Sequence, residues 1–523
     1  MYGPVEIRPT SILLHNYTLG ENYLLEKQYV YMEKVYGKYK PVFMGIKYDP
    51  ENRTLFVPGG TNMYYIIPQF SNIQTIRVFP DEFQRLEKIR LKYPPRDERQ
   101  KQAIRFCLGL QEYQMNRDKT QISVNLDTGV GKTYVAIFIF AYYEIKTIMI
   151  TSVYNWLDQW KERILQYTDI KEDEIYTIAG SSSIQKLFNG MKDHNKIKFY
   201  LATHDTINNY AKTNGWNSVG ELFKQLQIGI KIYDEAHLNF DNICKIDFNT
   251  NTWKTFYLTA TPMKSKKEEN IIYQHAFKTV PKISLFDEEN DPHTSYLAII
   301  FNSHPKPFDI QECMSMNYGF SPIKYIDYFI NTDSFYKMLK LVLHRSLLEL
   351  RENEKILIYI GKNEGIMRAY YWIKYNYSNY SVGIFTTLTG KEEKYNELNN
   401  QIILTTAKSS SACLDIPGLK KSIVFAEPFS SEVYAKQILG RTRDHNTEMI
   451  ELVDVGFKRI KEWYFKKRRN IYDKYAIECN EVAFNEFELS QALIDISRYE
   501  KSKLEEKMNS GNMIQVVDIV KNK

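Results

Sequence analysis

The sequence predicts an α/β protein: two parallel sheets in tandem, each wrapped by helices, with a small α+β domain before them and a helical extension after. Three observations predict it. Residues 121–140, Gln-Ile-Ser-Val-Asn-Leu-Asp-Thr-Gly-Val-Gly-Lys-Thr-Tyr-Val-Ala-Ile-Phe-Ile-Phe, read as strand, glycine-rich loop and buried helix. Short apolar runs then alternate with amphipathic segments, and the alternation resumes from Lys355, as in sheets built from strand–helix–strand units. Finally, Ile230-Lys-Ile-Tyr-Asp-Glu-Ala-His237 delivers two adjacent carboxylates at the end of an apolar strand, where such sheets bind their ligands.

Bulk properties narrow the class. A chain of 523 residues forms two to four domains, each able to bury its own core. The net charge of +6 permits nucleic-acid binding without demanding it. Cys107, Cys244, Cys313, Cys413 and Cys479 are far apart and form no C-x-x-C pair, which argues against a zinc site or disulfide framework and for a reducing compartment. No apolar run approaches the length of a membrane span. Met1-Tyr-Gly-Pro-Val-Glu lacks the layout of a signal peptide. The expected location is therefore cytoplasmic, in the host cytoplasm if the source is viral, and not secreted. The 40 tyrosines, with abundant Lys, Ile and Asn, read mainly as coding bias of an A+T-rich genome.

Residues 1–92 read as a separate accessory domain. Its strand candidates are Val42–Tyr48 and Thr54–Pro58, with turn chemistry at Asp49–Arg53 and Gly59–Asn62. Phe79–Lys92 reads as a polar, partly helical connector. The first parallel-sheet domain spans 93–284, with strands at Ile122–Leu126, Thr147–Thr151, Ile175–Ile178, Phe199–Thr203, Ile228–Tyr233 and Thr255–Leu258. Residues 285–330 are irregular and read as a connector or insertion. The second sheet domain spans 331–456, with strands at Lys355–Ile360, Gln401–Thr406, Lys421–Ala426 and Met449–Val455, and helices at Asn363–Tyr375 and Glu432–Gly440. Residues 457–523 read as a helical, basic extension.

The chemistry concentrates at two places. Backbone N–H groups of a loop at Thr128, Gly129 and Gly131 would cradle an anion at a helix N-terminus. Lys132 would reach β- and γ-phosphates, and Thr133 would hold Mg²⁺. About one hundred residues on, Asp234 would hold the same Mg²⁺, Glu235 would orient and deprotonate an attacking water, and His237 would couple the nucleotide site to the other domain.

These motifs, with Leu258-Thr-Ala-Thr-Pro262 downstream, resemble the motor core of superfamily 2 helicases of the Asp-Glu-Ala-His type, over roughly 96–456. The layout is most similar to DNA helicases of phages and large DNA viruses. The resemblance implies two RecA-like domains facing each other across a cleft, ATP and Mg²⁺ as cofactors, and sequence-independent movement along one strand of branched or forked DNA. It adds site residues by motif. Gln100 matches the adenine-reading glutamine. Ser152, Thr203 and Thr406 match strand-backbone contacts, and Asp415 matches the acid of the motif that couples nucleic acid to ATP. Gln437, Arg441 and Arg443 match the last motif, with Arg443 favoured as arginine finger and Arg441 as its support. Thr259 and Thr261 match positions that transmit the nucleotide state.

The sequence departs from the pattern in three motifs: Leu126 replaces the first glycine of the phosphate loop, Cys413 replaces a glycine, and Arg441 and Arg443 are one residue closer than usual. In the extension, Phe457, Ile460, Trp463 and Tyr464 form an apolar stripe. Lys466–Arg469 read as either a solvated face or a phosphate contact, with Lys466 and Arg468 as nucleic-acid candidates. The expected partner is single-stranded or branched DNA, RNA being possible, with protein partners through residues 1–92 or the tail. The alternatives are a transcription-associated or RNA-remodelling ATPase, and a nucleic-acid-binding scaffold impaired in hydrolysis.

Overall fold

The computed structural model describes residues 2–509 apart from 36–37, 68–72, 127–129, 190–192, 260–266, 286–293, 316–318, 387, 391–392, 394–395, 408, 410–415 and 440–446. The chain divides into two compact units, residues 1–289 and 290–523.

In the first unit a seven-stranded sheet runs Ile175–Ile178, Phe199–Thr203, Thr147–Thr151, Ile230–Tyr233, Lys254–Thr259, Gln121–Leu126 and Lys282–Leu285. Every pairing is parallel. The five inner strands are buried along their whole length, because helices cover both faces. All six expected strands of this sheet are present. The seventh, Lys282–Leu285, is an edge strand of mixed burial, too polar to stand out in the sequence.

Residues 1–78 hold a five-stranded sheet, ordered Lys47–Asp49, Thr54–Pro58, Ser11–Leu14, Val5–Ile7 and Thr75–Arg77, and a separate hairpin of Val30–Val35 with Lys38–Phe43. This region is not separate, as the sequence suggested. Tyr17, Leu25 and Leu55 share one apolar core with Phe240, Tyr273 and Phe277. Thr10 Oγ1 donates to Asp247 O at 2.9 Å, and Gly45 N donates to Asp241 Oδ1 at 3.2 Å. The expected strand Val42–Tyr48 is broken at this contact. Gly45 has φ +75°, and a Cβ there would lie 2.6 Å from the Phe240 ring, so only glycine fits.

The expected connector helix at Phe79–Lys92 is also absent. Phe83, Leu86 and Ile89 imitate a helical period, but the segment lies extended on the sheet domain. Leu86 N donates to Glu144 O at 2.7 Å, isolated bridges join Arg85 to Ile145 and Leu91 to Thr168, and Phe83 stacks on Trp253.

The second unit repeats the architecture. Its seven-stranded sheet runs Val382–Phe385, Ile402–Thr405, Lys355–Ile360, Leu419–Ala426, Thr447–Asp454, Thr294–Phe301 and Cys479–Ala483, again all parallel. Two sequence expectations change. Residues 285–330 are not merely a connector, because Thr294–Phe301 is an inner strand and the Pro322–Phe329 helix buries Tyr325, Ile326 and Phe329. The extension is not wholly helical either. Cys479–Ala483 pairs with Thr294–Phe301, and helices Lys458–Trp463, Arg469–Tyr475 and Glu486–Asn509 surround it in sequence. Both units carry a seven-stranded, all-parallel sheet, in tandem along the chain.

Candidate functional site

In a parallel sheet all strands end on one rim, and the rim of the first sheet gathers the predicted residues. The Gln121–Leu126 strand leads through a loop to the Lys132–Tyr143 helix. Thr128 and Gly129 lie outside the described residues. Gly131 starts the helix at φ +95°, and a Cβ on it would lie 2.2 Å from Gln100 Nε2. The loop therefore needs glycine there for its backbone and for close approach.

Gln100 is buried. Its amide donates to Val130 O at 2.8 Å and accepts from Arg96 N at 2.8 Å. Asp97 caps the same helix through Gln100 N at 2.9 Å. The expected adenine reader is thus placed as a brace between the Glu98–Leu108 helix and the phosphate loop.

Asp234 and Glu235 follow the buried Ile230–Tyr233 strand, whose central position puts them at the middle of the rim. Asp234 N donates to Ile150 O at 3.0 Å. The Asp234 carboxylate accepts from Trp160 Nε1 at 2.9 Å and from Glu235 N at 3.0 Å. Glu235 sits at φ +48°, in the left-handed region that costs a side-chain-bearing residue energy. The turn is held by Ala236 N donating to Leu258 O at 2.9 Å. Lys132 Nζ lies 3.0 Å from Glu235 Oε1. On the other side His237 Nδ1 lies 3.3 Å from Glu235 Oε2 and 2.7 Å from Thr259 Oγ1. A continuous polar chain, Lys132–Glu235–His237–Thr259, therefore runs across the ends of three neighbouring strands. Thr261 lies outside the described residues.

The electrostatics follow from this geometry. Burial, then the charge of Glu235, push the Asp234 carboxyl up. Burial pushes Glu235 the same way, but Lys132 and His237 outweigh it and hold Glu235 well below the usual carboxylate range. Glu235 is thus the anion of the pair. Asp234 is a hard oxygen ligand whose ionised form needs a cation beside it. Among the described residues no group of three or more His, Cys, Asp or Glu is placed to hold a metal ion. A buried carboxylate of this kind suits Mg²⁺, which keeps most of its shell for phosphate oxygens and water.

Residues 92–264 match the family model described as Type III restriction enzyme, res subunit. Among solved structures, the chain is similar to UvsW of T4, at 13% identity over 92% of this chain and 100% of that one, with a TM-score of 0.34. It is similar to the Hef helicase domain of Pyrococcus furiosus, at 14% identity over 71% and 97%, with a TM-score of 0.42. It is also similar to Dbp5 of S. cerevisiae, solved bound to RNA and ADP BeF3, at 12% identity over 75% and 93%, with a TM-score of 0.48. No curated protein matches the chain.

Elsewhere on the same rim, Ser152 follows the Thr147–Thr151 strand, and its buried Oγ has no hydrogen-bond partner among the described residues. Thr203 is buried, and its hydroxyl caps the His204–Asn214 helix through Thr206 N at 3.2 Å. In the second unit Thr406 Oγ1 donates to Ser409 Oγ at 2.9 Å. Gln437 lies on the Glu432–Leu439 helix. Asp415, Arg441 and Arg443 lie outside the described residues.

Lys466 is exposed, 3.8 Å from Glu462. Arg468 is not: it is fully buried, ion-paired with Glu451, bonded to Phe429 O and stacked 4.7 Å from the Phe429 ring. That removes Arg468 as a phosphate contact. The reason is a π-helical turn at Tyr464–Arg468, which shifts the helical register and turns the arginine inward.

The sequence reading missed two groups. Trp160 was assigned no bond to Asp234, yet a buried indole N–H must find an acceptor. Glu427 ends the Leu419–Ala426 strand and accepts from Ala407 N at 3.0 Å, with burial pushing its carboxyl up to about 7. A carboxylate straight after an apolar strand was the available signal for it.

Proposed function

We propose that the chain is an ATP-dependent nucleic-acid helicase or translocase that hydrolyses ATP to ADP and phosphate and moves along one strand of branched or forked DNA without reading its sequence. The observation that carries this reading is the Lys132–Glu235–His237–Thr259 chain, set beside a buried Asp234 at the carboxyl rim.

Each residue takes a role that its contacts suit. The helix N-terminus at Gly131, with Thr128 and Gly129, cradles the phosphates. Gln100 keeps that loop in place. Without nucleotide, Lys132 neutralises Glu235. When Lys132 turns to the β- and γ-phosphates, Glu235 is released as a base. It then takes a proton from the water that attacks the γ-phosphorus, as the bond to the β-phosphate oxygen breaks. Thr133 and Asp234 would hold Mg²⁺, which neutralises charge developing on the phosphate oxygens. Trp160 fixes the rotamer of Asp234. His237 and Thr259 pass the state of Glu235 to the adjoining strand end, where Thr261 follows. In the second unit, Arg443 serves as arginine finger with Arg441 in support, and Gln437 and Asp415 belong to the same response. Ser152 and Thr406 contact the strand backbone, with Lys466 an outlying cation, and Thr203 holds its helix for that purpose. Backbone contacts fix position and carry no sequence information.

The test is the ATPase rate at one low salt concentration with no nucleic acid, single-stranded DNA, forked DNA and single-stranded RNA. The expected result is stimulation by DNA, greatest with forks. Stimulation by RNA alone replaces the DNA reading with an RNA-remodelling one. No turnover in any condition makes the chain a binding scaffold.

A further inference from the structure

Gln100 holds the place of an adenine reader, and its surroundings in the first unit suit a different task. The Glu98–Leu108 helix buries Gln100, Ala103, Ile104 and Cys107. At three- and four-residue spacing these side chains form one stripe, the face that a helix turns to the core. Position 100 is therefore inward by helical register. Asp97 fixes that register at the first turn, where its carboxylate accepts from Gln100 N at 2.9 Å.

The carboxamide is committed at both ends. Its Nε2 donates to Val130 O at 2.8 Å, and its Oε1 accepts from Arg96 N at 2.8 Å. A glutamine that reads adenine needs these two atoms side by side against the base, Oε1 for the amino group and Nε2 for the neighbouring ring nitrogen. Each atom keeps one further bonding position, but the residue is 4% exposed, so no base edge approaches it. Gly131 lies against the same nitrogen, since a Cβ there would be 2.2 Å from Nε2. A side chain placed in this way has no means to reject a base that carries an oxo group where adenine has its amino group.

The segment before the helix grips the loop at a second point. Tyr134 donates its hydroxyl to Tyr93 O at 2.5 Å. Gln100 and the Tyr93 carbonyl thus hold the two ends of residues 130–134, the stretch that carries Lys132 and Thr133.

We propose that Gln100 is a positioning residue that sets the phosphate loop, and that the site takes nucleoside triphosphates by their phosphates without selecting the base. GTP, CTP and UTP are then substrates alongside ATP. This role rests on the motor reading above and replaces the adenine-reading role that the motif resemblance gave Gln100.

The experiment uses the full chain with Mg²⁺ and the fluorescent nucleotide mant-ADP, displaced in turn by unlabelled ADP, GDP, CDP and UDP. The Kd values should agree within about five-fold, where a buried base-reading pair would separate them by more than about ten-fold. The kcat/KM values for the corresponding triphosphates, with single-stranded DNA present, should agree as closely. Gln100→Ala should raise every Kd by about ten-fold and alike for each base. Gln100→Glu keeps the acceptor for Arg96 N but sets an oxygen against Val130 O, and should do the same. A Kd for ADP more than about ten-fold below the others overturns base-independent selection, and its loss in Gln100→Ala restores the adenine-reading role. Parental Kd values in both variants overturn the positioning role. Thermal melting checks that the variants fold, and the Kd values of the parent decide on base selection even where they do not. A parent chain that binds none of these nucleotides overturns the motor reading, and the role of Gln100 falls with it.

Discussion

Two buried ion pairs of this chain, one from each unit, are built for opposite ends. In the first unit Lys132 meets Glu235 at the rim of the sheet, with the Lys132 side chain still 13% exposed. Its glutamate sits on a left-handed residue and faces a histidine. In the second unit Arg468 meets Glu451 inside the protein, both at 2% exposure or less. There Tyr296 OH donates to Glu451 Oε2 at 2.9 Å, and the Phe429 carbonyl and ring enclose the guanidinium. The first pair has somewhere to go and a strained turn holding it. The second pins the extension to its sheet. Burial of a charge pair therefore does not mark a functional site by itself; rim position and a left-handed backbone set the first pair apart from the second.

Substitutions separate the two cases, beginning with the largest effect. Lys132→Ala should lower ATP turnover by about 10²–10³-fold and leave melting of the second unit unchanged in calorimetry. Arg468→Ala should do the reverse. Stranding Glu451 should cost roughly 3–5 kcal/mol of second-unit stability, while turnover per folded molecule persists. Arg468→Met combined with Glu451→Met should recover most of that stability, because an apolar pair leaves no buried charge.

The pH dependence of stability should differ in sign between the units. Burial pushes the His204 imidazole down to about 3, from an ordinary 6.5. Its stabilising contribution is present above about 6.5 and lost as pH falls toward 3. Glu427 is pushed up to about 7 from an ordinary 4.5, so its contribution is present below about 4.5 and lost as pH rises through 7. Melting curves should show acid loss reduced by His204→Phe and alkaline loss reduced by Glu427→Gln, each by about 1–3 kcal/mol. Equal pH profiles for parent and variants contradict both assignments. The smallest effect belongs to Trp160→Phe. It removes one bond to Asp234 and should raise the Mg²⁺ concentration for half-maximal turnover a few-fold, with little change in melting.

Much of this was legible in the sequence where chemistry and strand shared a few residues. Ile230–Tyr233 is apolar and buried, and Asp234 and Glu235 must follow it directly to reach the rim. The same holds for Gln121–Leu126 and Lys132. What was not legible depends on distant partners or on register. Trp160 and Asp234 are 74 residues apart. Thr294–Phe301 pairs with Thr447–Asp454 and Cys479–Ala483, so its place in the second sheet is invisible to local alternation. Arg468 lies in a basic run that looks solvated, and only the π-helical turn directs it inward. Residues 1–78 looked independent because the core they share with Phe240 and Phe277 forms across some two hundred residues of chain.

The most direct test of the account is Glu235→Gln, comparing ATP binding with single-turnover hydrolysis in the presence of single-stranded DNA. The account predicts ATP affinity within a few-fold of the parent and hydrolysis slower by about 10²–10⁴-fold. Hydrolysis close to the parental rate would contradict it, because the polar chain from Lys132 to Thr259 would then have no base at its centre.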